Sequence, residues 1–418
     1  MRWKTSQWRQ GLLKPAALLA VLSTAACGEL FDVTNPGRIL DADLEDANMV
    51  PTVVTGMSAD FSVALGGVAV ASALMSDEIE GSGNNVWERQ YSRGIAAPEF
   101  DLVYWATVQR ARWVAESGID RIKRLLGENV QGNVNLARAY LFAGLSNRVL
   151  GENFCKVIFD GGPLVPRDSA FHRGMTHFTD AIRHAAASGN QALLLAAYGG
   201  RAQVHVGAGD WAAAVADAQR VPTDFVYEAV FSANSGRENN DVWETSGWLG
   251  AGISAVATLP ASLDPQDPRA PWTRCVKGAG CAQVIGGDGV TPLLRQDKYR
   301  ERGSKIPVVK GTEMRLIEAE ALLRDGDVAG AMAKMNQVRA RWQLAPLSAA
   351  DRDKAWAHLY NERLLTLWLE GRRLHDLHRW NHPFLHGGYL YHVGAPERAS
   401  CWGVGLNECQ TNPNSPCP

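Results

Sequence analysis

NERLLTLWLEGRRLHDLHRW, residues 361–380, reads first as the end of an amphipathic helix. Leu359, Tyr360, Leu364, Leu367, Trp368, Leu374 and Leu377 recur at three- and four-residue steps, which sets them on one buried face. Glu362, Glu370, Arg372, Arg373 and Asp376 fall largely between them. Gly371 permits the close approach of another backbone, or a local break. Periodicity alone therefore gives a helix that docks on a core.

The order of the charged residues says more. Glu-Arg, then Glu-Gly-Arg-Arg, then Asp-Leu-x-Arg-Trp resembles the C-terminal helix signature of the SusD/RagB family of surface-exposed bacterial lipoproteins. Ile306–Arg324, IPVVKGTEMRLIEAEALLR, is similar to the family's strand-to-helix start, with Glu318-Ala319-Glu320 at its centre. Asn35-Pro36, Ser76-Asp77-Glu78 after an apolar helix, and Asn412-Pro413-Asn414 match further family positions in order, so the likeness spreads over most of residues 27–418. One departure is Leu374-His375-Asp376-Leu377-His378, where the family often has a basic or aromatic run; Asp376 and Trp380 remain. The resemblance implies a mostly α fold, an interrupted tetratricopeptide-like helical-repeat scaffold with an irregular loop-rich lobe. It also implies a protein that binds nutrient oligomers, often glycans, for a TonB-dependent outer-membrane transporter, over which it sits as a lid.

The N-terminus points to export. Arg2, Lys4, Arg9 and Lys14 precede a short apolar stretch, Pro15–Ser23, which is too short to span a bilayer. Thr24-Ala25-Ala26-Cys27 resembles a lipoprotein cleavage box, with Thr24 where the family usually has Leu; residues 1–26 are then a signal peptide and Cys27 the lipidated first residue. The plainer alternative is an ordinary signal peptide beside an incidental cysteine. No other long apolar run is read, so the mature chain is expected to be soluble apart from its lipid anchor in the outer membrane. Loss of the four leader cations takes the formal net charge from −2 to −6, which argues against a nucleic-acid partner. The basic stretch Arg295–Lys305 is read as a solvated loop rather than a polyanion site.

After Cys27 come Cys155, Cys275, Cys281, Cys401, Cys409 and Cys417, an even number that suggests disulfides in an exported chain. Cys275 and Cys281 bracket a glycine-rich loop and are expected to pair; the remaining connectivity stays open, and buried free thiols are the alternative. No close CxxC pair suggests zinc.

Helical hairpins organise much of the chain. Asn133–Leu150 is followed by Ala170–Ala187; Gln191–Val206 pairs with Trp211–Arg220 across Gly209-Asp210; Thr312–Arg324 pairs with Val328–Arg341 across Gly326-Asp327. Between them, Pro222–Lys305 is rich in Gly, Pro, Asp, Asn and Trp and predicts short strands, turns and a few helical turns. The mature chain is accordingly divided into an N-terminal helical part (27–221), an irregular ligand-binding lobe (222–306), a C-terminal helical-repeat part (307–380) and a loop-rich tail (381–418).

The functional candidates are aromatics in polar, irregular surroundings. Trp87 and Tyr91 lie in GSGNNVWERQY, and Trp243 and Trp248 in ENNDVWETSGW. Flat rings beside amides and carboxylates suit sugars, whose apolar face stacks on the ring while hydroxyls are hydrogen-bonded. The competing reading is that each ring anchors a loop. Trp105, Trp113, Trp356 and Trp368 sit in helical periods and are expected in the core. His375, His378, His382 and His386 have a spacing near one helical face, but Pro383 interrupts it and no carboxylate completes a ligand set, so no metal and no cofactor are expected. Asp77, Glu78 and Glu80 are read as structural rather than catalytic, and no nucleophile motif is present. The resulting expectation is a surface lipoprotein without turnover that binds an oligosaccharide or peptide ligand. A protein-binding envelope scaffold is the alternative, and a glycan-cleaving enzyme a more distant third.

Overall fold

The computed structural model describes residues 41–96, 98–256, 258–263, 267–386 and 397–415. The expected leader, the expected lipidation site Cys27, Asn35-Pro36 and Cys417 lie outside the described residues. Two compact units divide the chain at residue 46. In the N-terminal unit, Asp41–Glu45 forms a 3-10 turn. The rest of the description concerns the unit that starts at Ala47.

That unit opens with α1 (Val50–Met75), β1 (Glu80–Gly81), α2 (Val86–Ser92), α3 (Pro98–Leu126) and α4 (Val134–Asn153). A short hairpin, β2 (Lys156–Val157) and β3 (Val165–Pro166), leads to α5 (Asp168–Ala187), α6 (Gln191–Gly207) and α7 (Trp211–Ala218). The irregular interval holds β4 (Val226–Ala229), α8 (Asp241–Thr245), β5 (Ile253–Ser254), α9 (Leu259–Leu263), β6 (Trp272–Arg274) and β7 (Leu294–Gln296). Then come β8 (Ile306–Lys310), α10 (Gly311–Arg324), α11 (Val328–Arg341), α12 (Arg352–Thr366), α13 (Arg373–Trp380) and α14 (Leu406–Thr411). The strands pair antiparallel in four two-stranded sheets, β1–β5, β2–β3, β4–β8 and β6–β7. The fold is mostly α, a helical-repeat scaffold carrying an irregular lobe, as expected from the hairpin pattern.

Helix α1 is the centre of the main core. Its residues from Val68 to Met75 are buried on every side, which requires an apolar sequence all round the helix. Ala47–Met75 is long and apolar enough to cross a membrane by length and composition. It is thus a second long apolar run, one that the sequence reading passes over. In the fold it packs against α3, α4, α8 and α13. The hairpins share one turn device. Gly189, Gly209 and Gly326 take φ of +67°, +77° and +87°, closing the preceding helix. The next residue caps the following helix: Asn190, Asp210 and Asp327 accept from the backbone N–H of Leu193, Ala213 and Gly330 at 3.0, 3.1 and 2.8 Å.

The 361–380 stretch is two helices rather than the end of one. Helix α12 stops at Thr366, Leu369 (φ +59°) and Gly371 (φ +70°) turn the chain, and α13 starts at Arg373. A side chain at Gly371 would meet the Cα of Ala69 at 3.6 Å, so the turn lies directly on α1. Three carbonyls at the end of α12 and in the turn after it accept from side chains of the irregular interval and β8. Lys310 Nζ donates to Thr366 O, Lys298 Nζ to Trp368 O at 2.6 Å, and the Tyr299 hydroxyl to Leu369 O at 3.2 Å. Glu370 neutralises both lysines, at 2.6 and 2.7 Å.

The motif's arginines are buried, Arg379 partly, and meet carboxylates of the motif itself and of distant elements. Arg373 makes a two-point contact with Asp77 at 2.7 and 2.8 Å. Arg372 reaches Glu152 on α4 at 2.6 Å and Glu313 on α10 at 2.8 Å. Arg363 holds Asp376 at 2.7 and 3.0 Å, and Arg379 joins Asp376 at 2.8 Å to Glu320 at 2.7 Å. Trp380 adds an indole N–H to Glu320 at 2.9 Å. On the other side of the turn, Leu369 N–H donates to Glu78 Oε1 at 2.8 Å and Trp368 Nε1 to Glu78 O at 3.1 Å.

Removing one member of such a pair leaves a charge buried alone. Asp77→Ala is therefore expected to cost about 3–5 kcal/mol in urea unfolding, and a loss below about 1 kcal/mol would contradict the clamp. A second expectation concerns pH. Burial pushes the Glu78 carboxyl up to about 8, against 4.5 ordinarily. Between those values the unfolded chain has released a proton that the native chain retains, so this group's contribution to stability falls as pH rises. Glu78→Gln is expected to flatten the stability profile between about pH 5 and 8; a variant as steep as the wild type would show that Glu78 is ionised when folded.

Candidate ligand-binding surface

Three loops meet around the start of α2. Ser82 and Gly83 donate to Gly252 O at 2.8 and 3.1 Å, Gly287 donates to Ala251 O at 3.1 Å, and Asp288 N–H closes back on Ser82 O at 2.9 Å. Asp288 orders its own loop by accepting from Val290 N–H and Thr291 N–H at 3.0 and 2.9 Å. Asn85 Nδ2 donates to Glu88 Oε1 at 2.9 Å, and Asn84, Asn85 and Arg89 are left exposed on this junction.

The four expected rings have different fates. Trp87 is half-buried, edge-on to Tyr91 at 5.9 Å and to Tyr104 at 6.3 Å, and keeps part of its ring at the surface. Tyr91 is 0% exposed and stacks at 6.4 Å on the buried Trp402 of the tail, so its ring offers no face to solvent. Trp243 is buried, donates to Arg300 O at 3.0 Å and lies under the Arg302 guanidinium at 5.3 Å. Trp248 is half-buried, donates to Gln296 O at 2.9 Å and is covered on one face by Arg295, 3.6 Å from the ring centre. The structure thus brings Trp87 and Tyr91 together and packs Trp243 and Trp248 separately, each on an arginine. Tyr91 and Trp243 have the packing of loop anchors.

Arg295 also orders the neighbouring loop. Its Nη1 donates to Gly280 O at 2.8 Å and its Nε to Asp297 at 2.9 Å. Cys275 and Cys281 are bonded to each other across that loop, with Cα atoms 5.7 Å apart. A bridge left open by the sequence joins Cys155 to Cys401. It fastens the tail beside Trp402, whose N–H donates to Asn153 O at 2.8 Å.

The carboxylates and histidines are already engaged. Asp77 and Glu78 belong to the clamp on the 361–380 motif, not to a cleft. His375 is buried, which holds its imidazole well below the usual range and keeps it neutral. Burial also takes His378 and His382 down to about 4, and His378 is hydrogen-bonded to Ser400 at 2.7 Å. Among the described residues, no three His, Cys, Asp or Glu side chains gather as ion ligands.

Trp113 corrects the sequence reading. Trp105 and Trp368 are buried as expected and Trp356 is half-buried, but Trp113 is 58% exposed. The buried stripe of α3 runs through Trp105, Val108, Arg112, Ala115, Ile119 and Ile122. Trp113 follows this stripe by one residue, which turns it about 100° towards solvent. Periodicity places it correctly only once the stripe's charged member, Arg112, is recognised as buried.

Comparison with known proteins agrees with this architecture. Residues 294–408 match the model of the SusD family. The chain has no match among the curated proteins. A SusD-like protein from Bacteroides fragilis superposes with a TM-score of 0.68 at 14% identity, over 90% of this chain and 98% of that one. A SusD/RagB family protein from Bacteroides thetaiotaomicron gives 0.65 at 14%, over 88% and 95%. A SusD-like carbohydrate-binding protein from Bacteroides fragilis gives 0.62 at 14%, over 82% and 92%. At these identities the likenesses carry the fold. The family match covers the segment that holds the Glu-Gly-Arg-Arg motif, so that segment is similar to the SusD family and the chain shares the fold of the SusD-like structures.

Proposed function

We propose that this chain is a lipid-anchored surface protein that captures an oligomeric nutrient, a glycan by preference, and delivers it to a TonB-dependent outer-membrane transporter. The observation that carries the reading is Trp87. Its partly open ring is braced by Tyr91 and Tyr104 and stands beside the exposed Asn84, Asn85 and Arg89. A braced ring loses little freedom on stacking, and neighbouring amides and a guanidinium can bond sugar hydroxyls. Trp248 offers a second, smaller ring surface. One family neighbour is itself described as carbohydrate-binding. In this reading Cys27 carries the anchor, residues 222–306 with the α2 junction hold cargo, and the stacked hairpins in 27–221 and 307–380 face the transporter. Turnover is not part of it, since Asp77 and Glu78 are committed to the clamp.

A protein-binding envelope scaffold is the second reading. It is favoured by the aliphatic side chains Val276, Val284, Ile285 and Val290, which the lobe leaves exposed.

Two outcomes test the proposal. Trp87→Ala is expected to weaken binding to a glycan found by array screening by about 1–3 kcal/mol with little change in melting temperature. Tyr91→Ala is expected to lower the melting temperature instead, because it opens a cavity beside Trp402. Normal binding by Trp87→Ala would remove this ring from the site. Mild-detergent pull-down from native membranes is expected to recover a TonB-dependent barrel, whereas recovery of periplasmic assembly factors alone would favour the scaffold.

A further inference from the structure

The exposed Trp113 stands between two clefts that the α2 junction does not include. One, of about 520 Å³, is lined by Gln109, Arg112, Trp113, Asp160 and Glu408 among others. The other, of about 440 Å³, shares Arg112, Trp113 and Asp160 with the first and extends past Glu116 and His177. Both volumes fall within the range of small-ligand sites.

The walls of these clefts are held in place from behind. Asp160 has φ +53° in the turn after β2, a conformation that a non-glycine residue keeps only where its surroundings enforce it. Arg112 enforces it with contacts of 2.9, 3.1 and 2.9 Å to the carboxylate. Gln109 donates to Ile158 O at 2.7 Å, and Asn412 and Asn414 of the tail donate to Gly162 O and Gly161 O, both at 2.9 Å. The family-like Asn412-Pro413-Asn414 element therefore fixes the turn that presents Asp160 next to the ring. In the second cleft, Glu116 accepts from Arg112 at 2.9 Å, Arg173 at 2.6 Å and Asn147 at 2.8 Å, and lies 3.1 Å from His177.

We propose that the Trp113 ridge is a second carbohydrate-binding surface, separate from the Trp87 junction, that takes a neutral oligosaccharide. The chemistry favours a neutral ligand because the charges flanking the ring are paired with each other, Arg112 with Asp160 and Glu116, and Arg173 with Glu116. Such pairs have little net charge to offer an ion, but present fixed donors and acceptors to hydroxyl groups. The indole supplies the stacking face, and the two clefts that share it give room for a chain to pass across it rather than end on it. Two separated sites on one anchored protein raise the effective affinity for a long polymer over a short fragment.

This inference rests on the reading that the protein binds glycans. Its test is native-gel retardation of the full chain in amylopectin, arabinoxylan, galactomannan and mixed-linkage β-glucan, with Trp113→Ala, Trp113→Phe and Trp87→Ala beside the wild type. At least one polymer is expected to retard the wild type, and Trp113→Ala to weaken that retention about tenfold at an unchanged melting temperature. Trp113→Phe, which keeps an aromatic face, is expected to restore most of it. Retention by Trp113→Ala equal to the wild type, with loss only in Trp87→Ala, would overturn the second surface and leave the proposed function standing. Unchanged retention together with lower recovery of the transporter would overturn it too, as a protein contact. No retardation of the wild type by any polymer would overturn both.

Discussion

The structure depends on a set of buried arginine–carboxylate pairs around one turn. Residues 367–372 lie against α1, and from this point Arg373 reaches the end of α1, while Arg372 reaches α4 and α10. Desolvating this many charges is costly, and such pairs hold only when every charge is met and hydrogen-bonded. Here two-point contacts, shared carboxylates and the Trp380 indole meet most of that condition, while Arg363 Nη1 and Arg372 Nε are buried without a hydrogen-bond partner. Glu78 meets it in another way, by staying protonated. The gain is positional, since an ion pair with two-point geometry fixes direction where apolar packing tolerates sliding.

That positional role connects the motif to function through architecture. Lys298, Tyr299 and Lys310 bring the last part of the irregular interval onto the end of α12. Strand β8 then pairs with β4, which closes the interval at its two ends. The lobe's loops are thereby held on the scaffold without using their own surface. Trp87, Asn84 and Asn85 remain at the rim. Disulfides complete the arrangement, Cys155–Cys401 for the tail and Cys275–Cys281 for the loop beside Trp248.

What was legible in the sequence follows from how local each signal is. The Gly209-Asp210 and Gly326-Asp327 turns announce themselves, because the positive φ and the helix cap are both made by adjacent residues. The helices around them accordingly lie close to where periodicity puts them. The break at Leu367–Arg372 was less legible, since its capping partners, Lys298, Lys310 and Glu78, are 56 or more residues from the groups they bond. The rings divide in the same way. Tyr91 looks like a surface aromatic in its polar segment, and only Trp402, brought by the tail, makes it a core residue. Trp113 looks like a core aromatic, and only the burial of Arg112 by Asp160 turns it outward. Spacing gives relative faces along a helix; which face is inside was decided here by partners that local sequence does not name.

The central claim is that the 367–372 turn is held by these long-range pairs as firmly as the helices it touches. Native-state hydrogen exchange at Leu369 tests it most directly. Its N–H lies in a turn, where exchange by local opening is the rule, yet it is bonded to the buried carboxyl of Glu78, three residues past the end of α1. The amide of Leu369 is expected to exchange with the slowest amides of α1, at the free energy of global unfolding. Exchange through a local opening that leaves α1 protected would contradict the claim, and would make the motif a mobile surface turn instead of the point to which the rest of the fold is tied.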